Sequence, residues 1–205
     1  MARSTNKMDR YSTPLGEAVY PALHRADTKF DDAGTWKADL RVAQSDAKEL
    51  MTTLAAKYKE HVGKALPKDG GNLWNVEVDD EGDPTGNVMF KLRVKNVQRK
   101  DGQMWMRQPK MFDTSSPPQP LTDVEPWGGT KMIVAFDVYC YEMPQKGVKL
   151  QPVAVQIVEL NSGGSDNAEA FGFNEMEDGF KSDVPTEKDN FSFSQAEDGE
   201  LPTDF

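Results

Sequence analysis

Cysteine is all but missing from this 205-residue chain. Cys140 stands alone, which excludes an internal disulfide and a cysteine-based zinc site and leaves a buried, reduced strand thiol as the expectation. Histidine is nearly as scarce: His24 and His61 lie far apart and form neither a triad nor a zinc constellation. Long apolar runs are lacking too. No segment approaches the roughly 18 residues of a membrane span, and the first ten residues are polar, so the chain reads as soluble and intracellular. No glycine-rich phosphate loop precedes a helix. Carboxylates such as Glu77 and Asp79 show no spacing that marks a magnesium site, and the Asp79-Asp80-Glu81-Gly82-Asp83 cluster lacks the twelve-residue calcium-loop pattern with its distal glutamate. The expectation is a protein without enzyme activity, metal or cofactor.

Net charge is absent from most of the chain as well. Residues 161–205 hold 12 of the 34 acids and only Lys181 and Lys188 among the 24 bases, which leaves 22 of each in residues 1–160. The acidic balance of −10 therefore belongs wholly to the last forty-five residues and says nothing about what the body binds. We divide the chain into a folded domain, 1–160, and an acidic tail, 161–205.

Within the body, Trp36, Ala38, Leu40 and Val42 alternate with Lys37, Asp39 and Arg41, the period-2 pattern of a half-buried strand. One helix follows over 46–66, with Ser45 as its cap, an apolar stripe of Leu50, Leu54, Tyr58 and Val62, and Pro67 at its end. Beyond Trp74 and Val76 the chain reads as strand after strand, over 87–97, 103–113, 130–142 and 148–160, parted by turn residues. Five or six strands with one inserted helix and no strand–helix alternation predict a mainly β domain, a small barrel or a sandwich.

The candidate site is a strand pair. Val88, Phe90, Leu92 and Val94 share one face of 88–95, which places Lys91, Arg93 and Lys95 on the other, about 7 Å apart, near the phosphate spacing of an extended single strand. A two-residue turn at Asp101-Gly102 would set Arg93 opposite Lys110, Lys91 opposite Phe112, Leu92 opposite Met111 and Val94 opposite Pro109. The basic face then gains Lys110 and the exposed ring of Phe112, with Trp105, Arg107, Arg99 and Lys100 toward the hairpin tip. Backbone cations beside aromatic faces are what sequence-tolerant single-strand binding needs. The same alternation would also serve as a plain solvated sheet face, and Trp36 and Trp105 could each be core or ligand-facing. Four neutralised phosphates would give a salt slope near −3.

Residues 161–205 mix acids with Gly, Ser, Asn and Pro, have no sustained period and are expected to be disordered. Phe171, Phe173, Phe180, Phe191, Phe193 and Phe205 stand among the carboxylates. Negative charge alternating with aromatic faces is the chemistry of single-stranded DNA, so the tail is expected to visit the basic face when DNA is absent.

Ordered segments along the chain resemble the single-stranded DNA-binding proteins of T7-like bacteriophages: Pro14-Leu15-Gly16, Trp36-Lys37-Ala38-Asp39-Leu40, Phe90-Lys91-Leu92-Arg93-Val94, Gly128-Gly129-Thr130-Lys131, Val158-Glu159-Leu160, and an acidic end closing on Asp204-Phe205. The resemblance implies an OB-fold (oligonucleotide-binding) barrel with an inserted helix, acting on single-stranded DNA in phage replication and recombination in the cytoplasm of an infected bacterial host. It implies that Glu200, Asp204 and Phe205 contact the phage DNA polymerase and helicase-primase, and that the protein aids annealing. A homodimer occurs in part of the family, though no residue here carries it over. Relatives of the T7 type end in a denser acidic run. Two other readings stand beside this one, a virion structural or interaction protein and an acidic nucleic-acid mimic.

Overall fold

The computed structural model describes residues 8–162. The acidic arm from residue 163 on, with Glu200, Asp204 and Phe205, lies outside the described residues. In chain order, β1 (Asp9–Ser12), β2 (Gly16–Ala18), β3 (Ala22–Asp27), β4 (Thr35–Lys37) and β5 (Leu40–Ala43) precede α1 (Gln44–Val62). Then come β6 (Trp74–Val78), β7 (Pro84–Phe90), β8 (Arg93–Lys95), the short pair β9 (Val97–Gln98) and β10 (Met104–Trp105), β11 (Lys110–Phe112) and β12 (Pro120–Leu121). Two long strands, β13 (Lys131–Tyr141) and β14 (Gly147–Glu159), complete the set. The domain is mainly β, and α1 is the one α-helix among the described residues.

The main sheet runs β12-β11-β14-β13-β2-β5-β7-β6, with β1 added along β13, and a second sheet runs β3-β4-β8. Leu92, between β7 and β8, bridges Leu150 of β14 in parallel. That bridge brings the β7 end of the path back onto β14, so the circuit β14, β13, β2, β5, β7 closes on itself. Closure removes the exposed edges that an open sheet would leave along this path.

The alternation read in the sequence is what fills the interior. Trp36, Ala38, Leu40 and Val42 are all buried, as are Val88, Phe90, Leu92 and Val94, and β13 and β14 add Val134, Phe136, Leu150 and Val155. Each large side chain among them contributes about 1.5–3 kcal/mol by leaving water. The run 35–43 is nonetheless split into β4 and β5 at Asp39, whose buried carboxylate accepts the backbone N–H of Leu92 at 3.0 Å. Along β13 and β14 the register shifts between Ala135 and Phe136, where Phe136 pairs with Pro152. Proline has no N–H to give to the ladder, so an irregularity falls there.

The helix differs from expectation at both ends. It begins at Gln44, no side chain caps its first turn, and Ser45 instead hydrogen-bonds Asp46. It stops short of Pro67 because Gly63 takes the left-handed conformation and donates its N–H to the Lys59 carbonyl. Leu54 and Ala47 are buried, and Leu50, Met51, Ala55 and Tyr58 pack against the core. The Asp79 carboxylate closes its own loop, accepting N–H groups from Glu81 and Asp83. Cys140, expected in the interior, is exposed, and partial desolvation pushes its thiol pKa up and away from thiolate reactivity. Among the described residues no helix is long and apolar enough to cross a membrane.

Candidate nucleic-acid interface

The row of cations on 91–95 forms as the alternation requires, but its neighbour is not the strand expected. β8 pairs with β4, setting Lys37 opposite Arg93 and Thr35 opposite Lys95. The hairpin after it turns through three residues rather than two: Arg99 donates its N–H to the Gln103 carbonyl, Gly102 donates to the Arg99 carbonyl, and Gly102 has a φ of 82°. A left-handed glycine closing a three-residue loop shifts the register by one, pairing Trp105 with Val97 and Met104 with Gln98. The pairing then ends, and β11 crosses to lie parallel to β14, with Lys110 beside Ala154 and Phe112 beside Gln156. Lys110 and Phe112 are therefore not brought to the basic row, and Met111 and Pro109 are not the strand partners of Leu92 and Val94. Lys110 instead lines a separate groove of about 440 Å³ with His24, Pro109, Leu121 and Asp123, while Phe112 is half-buried.

Lys91, Arg93 and Lys95 open onto a groove of about 810 Å³. Lys37 joins them from β4, Arg107 from the segment after β10, and Lys149 from β14. Phe30, Trp105 and Tyr139 supply aromatic surface to the same groove, and Trp105 and Tyr139 are 50% and 41% exposed. Trp105 is held by cations: the Arg107 guanidinium lies 5.3 Å from its ring centroid and that of Arg99 6.0 Å. Lys100 sits exposed at the ribbon turn. Trp36, the other tryptophan in question, is core: it is 3% exposed and donates its indole N–H to Asn96 at 2.7 Å.

The face is not free of acid. Lys95 reaches Asp31 at 2.6 Å, Lys37 pairs with Asp27, and Arg93 forks onto Asp39. Lys91 donates to the Gly71 carbonyl at 2.8 Å, and Arg107 donates to Gln151 at 2.7 Å. These partners hold long side chains in place, which lowers the ordering cost when an anion binds. The hydrogen bond from Lys95, helped by the Ala33 N–H, holds the Asp31 carboxyl below its ordinary range, and Lys37 and the Lys29 N–H do the same for Asp27. The hydrogen bond to Asp39 raises the pKa of Arg93. Burial lowers that of Arg107, although a guanidinium stays charged.

Asn96 ties the groove walls together. Its side chain accepts from Trp36 and from the Arg107 N–H and donates to the Ala33 carbonyl, and its own N–H reaches the Gly34 carbonyl. Lys37 stood in the sequence as a polar member of an alternating strand, so its face was readable while its place opposite Arg93 was not. Tyr139, Lys149, Phe30 and Asn96 carried no signal of their own, because strand pairing distant in sequence brings them together. Among the described residues no group of three or more His, Cys, Asp or Glu side chains is placed to hold a metal ion.

The fold has solved counterparts. The chain is similar to gp2.5, a single-stranded DNA-binding protein encoded by bacteriophage T7, with a TM-score of 0.56 and 22% identity, covering 85% of this chain and 99% of that one. It is also similar to the single-stranded DNA-binding protein of bacteriophage Enc34 in complex with ssDNA, with a TM-score of 0.54 and 14% identity over 74% of this chain and 87% of that one. The same Enc34 protein in a second structure gives a TM-score of 0.53 and 13% identity, covering 79% and 89%. No protein-family model and no curated protein matches the chain. The resemblance read from the ordered sequence segments is thus met at the level of fold by phage single-stranded DNA-binding proteins.

Proposed function

We propose that this protein binds single-stranded DNA without sequence preference in phage replication and recombination, through an OB-type barrel whose groove carries the strand. The observation that supports the reading most is the convergence of six cations and three aromatic rings on one groove in a body whose overall charge is zero. Lys91, Arg93, Lys95 and Lys37 would neutralise phosphates, while Trp105, braced by Arg107 and Arg99, would offer an edge or face to a base. Bases of every kind present a π-face, so this chemistry is tolerant of sequence. Few base-specific polar groups are needed, and no reaction is implied.

On this reading Lys110 and Phe112 sit off the strand's main path, beside the second groove. The acidic arm, by composition, competes for the basic groove, and its end, Glu200, Asp204 and Phe205, recruits replication partners such as a polymerase or helicase-primase. The setting would be the cytoplasm of the infected host. A titration of the intrinsic fluorescence of the four tryptophans with oligo-dT and with duplex tests the proposal. Tight binding to oligo-dT with little to duplex is expected, and binding to neither would overturn it. Deleting residues 161–205 is expected to raise affinity for oligo-dT; unchanged affinity would remove the competing role from the tail.

A further inference from the structure

Tyr139 is the last aromatic residue in the groove, but the strand that carries it does not stop there. Residues two apart on a strand share a face and are separated by about 7 Å. Tyr141 accordingly stands beside Tyr139, with ring centroids 6.4 Å apart and planes inclined by only 18°. The residue paired with Tyr141 across the hairpin is Gly147. A side chain there is impossible without movement: a Cβ would fall 2.2 Å from the Tyr141 hydroxyl oxygen and 2.3 Å from Cζ. The ring is laid against the glycine backbone.

Other groups fix and charge this surface. Lys149, which pairs with Tyr139 and lines the groove, holds its ammonium 5.0 Å from the centroid of the Tyr141 ring. The Tyr141 carbonyl is tied to His61 of α1, with Nε2 at 3.0 Å, so the hairpin end is anchored to the body. Lys146 lies in the turn, 3.4 Å from Glu142, which is also 3.9 Å from His61. Positive charge reaches the rings from Lys149 at Tyr141 and from Arg107, which shares the groove with Tyr139.

We infer that the β13–β14 hairpin is a second nucleotide-binding section, in which Tyr139 and Tyr141 with Lys149 take the one or two nucleotides of single-stranded DNA that leave the groove. The inference rests on the proposed groove reading and extends it. The ring spacing matches the step of an extended strand, the cation lies between groove and hairpin, and the surface is continuous with the groove through Tyr139 and Lys149.

The test is a length series of oligo-dT, from about 4 to about 16 nucleotides to span the usual site sizes of such barrels, titrated against wild type, Tyr141→Ala, Tyr141→Phe and Gly147→Ala. Tyr141→Ala is expected to leave the shortest strands unaffected and to weaken the longer ones by about fivefold or more, the least that one lost stack gives. Tyr141→Phe keeps the ring and should match wild type, whereas Gly147→Ala displaces it and should reproduce the length-selective loss. Equal weakening at every length, or none at any length, overturns the inference, as does a Gly147→Ala protein that follows wild type. Wild-type protein that binds no oligonucleotide overturns the groove reading itself, and this one with it.

Discussion

Two carboxylates on the groove cations have the same charge and opposite expected roles. Asp31 accepts from Lys95 at 2.6 Å, and the lysine is 65% exposed. A phosphate that takes Lys95 must do so against Asp31, so Asp31→Asn removes a competitor while its side-chain oxygen can still accept the Ala33 N–H. Exposed ion pairs are weak, so the gain in affinity is expected to reach at most about fivefold. Asp39 is 5% exposed and receives both the Leu92 N–H and the fork of Arg93. Asp39→Asn retains the shape but replaces one acceptor by a donor facing donors, at a cost of about 1–3 kcal/mol, because hydrogen bonds to charged groups are the stronger kind. That variant should melt several degrees lower. It should also bind oligo-dT more weakly, since Arg93 loses the partner that aims it. Fluorescence titration and thermal melting by circular dichroism read both effects. A weaker Asp31→Asn or a tighter Asp39→Asn would refute the division into a competing and a positioning carboxylate.

Lys91 and Lys149 line the groove without a carboxylate partner in the described contacts, so replacing both with Ala should flatten the dependence of log affinity on log salt by roughly 1.4, from about 0.7 per phosphate. An unchanged slope between low and moderate salt would place the phosphates elsewhere. Trp105→Ala should weaken oligo-dT binding by about 1–2 kcal/mol with little effect on melting temperature, because the ring is half exposed; a large loss of stability with no loss of binding would make it structural. Glu77 accepts from Asn87, Thr85 and Arg41, and these bonds, Asn87 first, hold its pKa below the ordinary value. A lowered folded pKa gives stability that is present above the ordinary carboxylate range and is lost as pH falls through the folded value. Glu77→Gln should therefore be less stable by about 1 kcal/mol near neutrality, and the difference should close on acidification; a constant difference in denaturant midpoint at all pH would refute it.

What could be read in the sequence was whatever depends on neighbours along the chain. The burial of Trp36, Ala38, Leu40 and Val42 and the outward cations at 91, 93 and 95 follow from the period of a strand, and both were legible. Tyr139 and Lys149 belong to the groove because β13 pairs with β14, and Lys37 because β4 pairs with β8. Pairing partners are not encoded locally. The one pairing inferred from a turn failed twice: Asp101-Gly102 favours a two-residue loop, but Gly102 in the left-handed region closes a three-residue one, and the ribbon pairing ends at Trp105, β8 being paired with β4 and 110–112 with β14. The helix end was missed for a related reason, since Gly63 stops it before Pro67 can.

The acids that the strand-pair reading left out explain how a neutral body can carry a basic groove. Asp27 and Asp31 come from β3 and the loop after it, and Asp39 from the break between β4 and β5, none of them on the cation strand. Asn96, beside Lys95, bonds the loop at Ala33, β4 at Trp36 and the ribbon end at Arg107. The cations are thus held by neighbours that set their positions before any ligand arrives. Binding on the proposed reading becomes an exchange of carboxylate for phosphate at Lys37 and Lys95, whose acids are partly exposed. At Arg93 it becomes an addition to a pair that stays intact, because Asp39 is buried and has the Leu92 N–H to satisfy. Exchange limits affinity at the first two positions and so favours release, while the fixed guanidinium keeps the strand's register against the groove. A protein that, on the proposed reading, covers single strands of any sequence and then gives them up needs both, and here they are divided between partly exposed and buried aspartates.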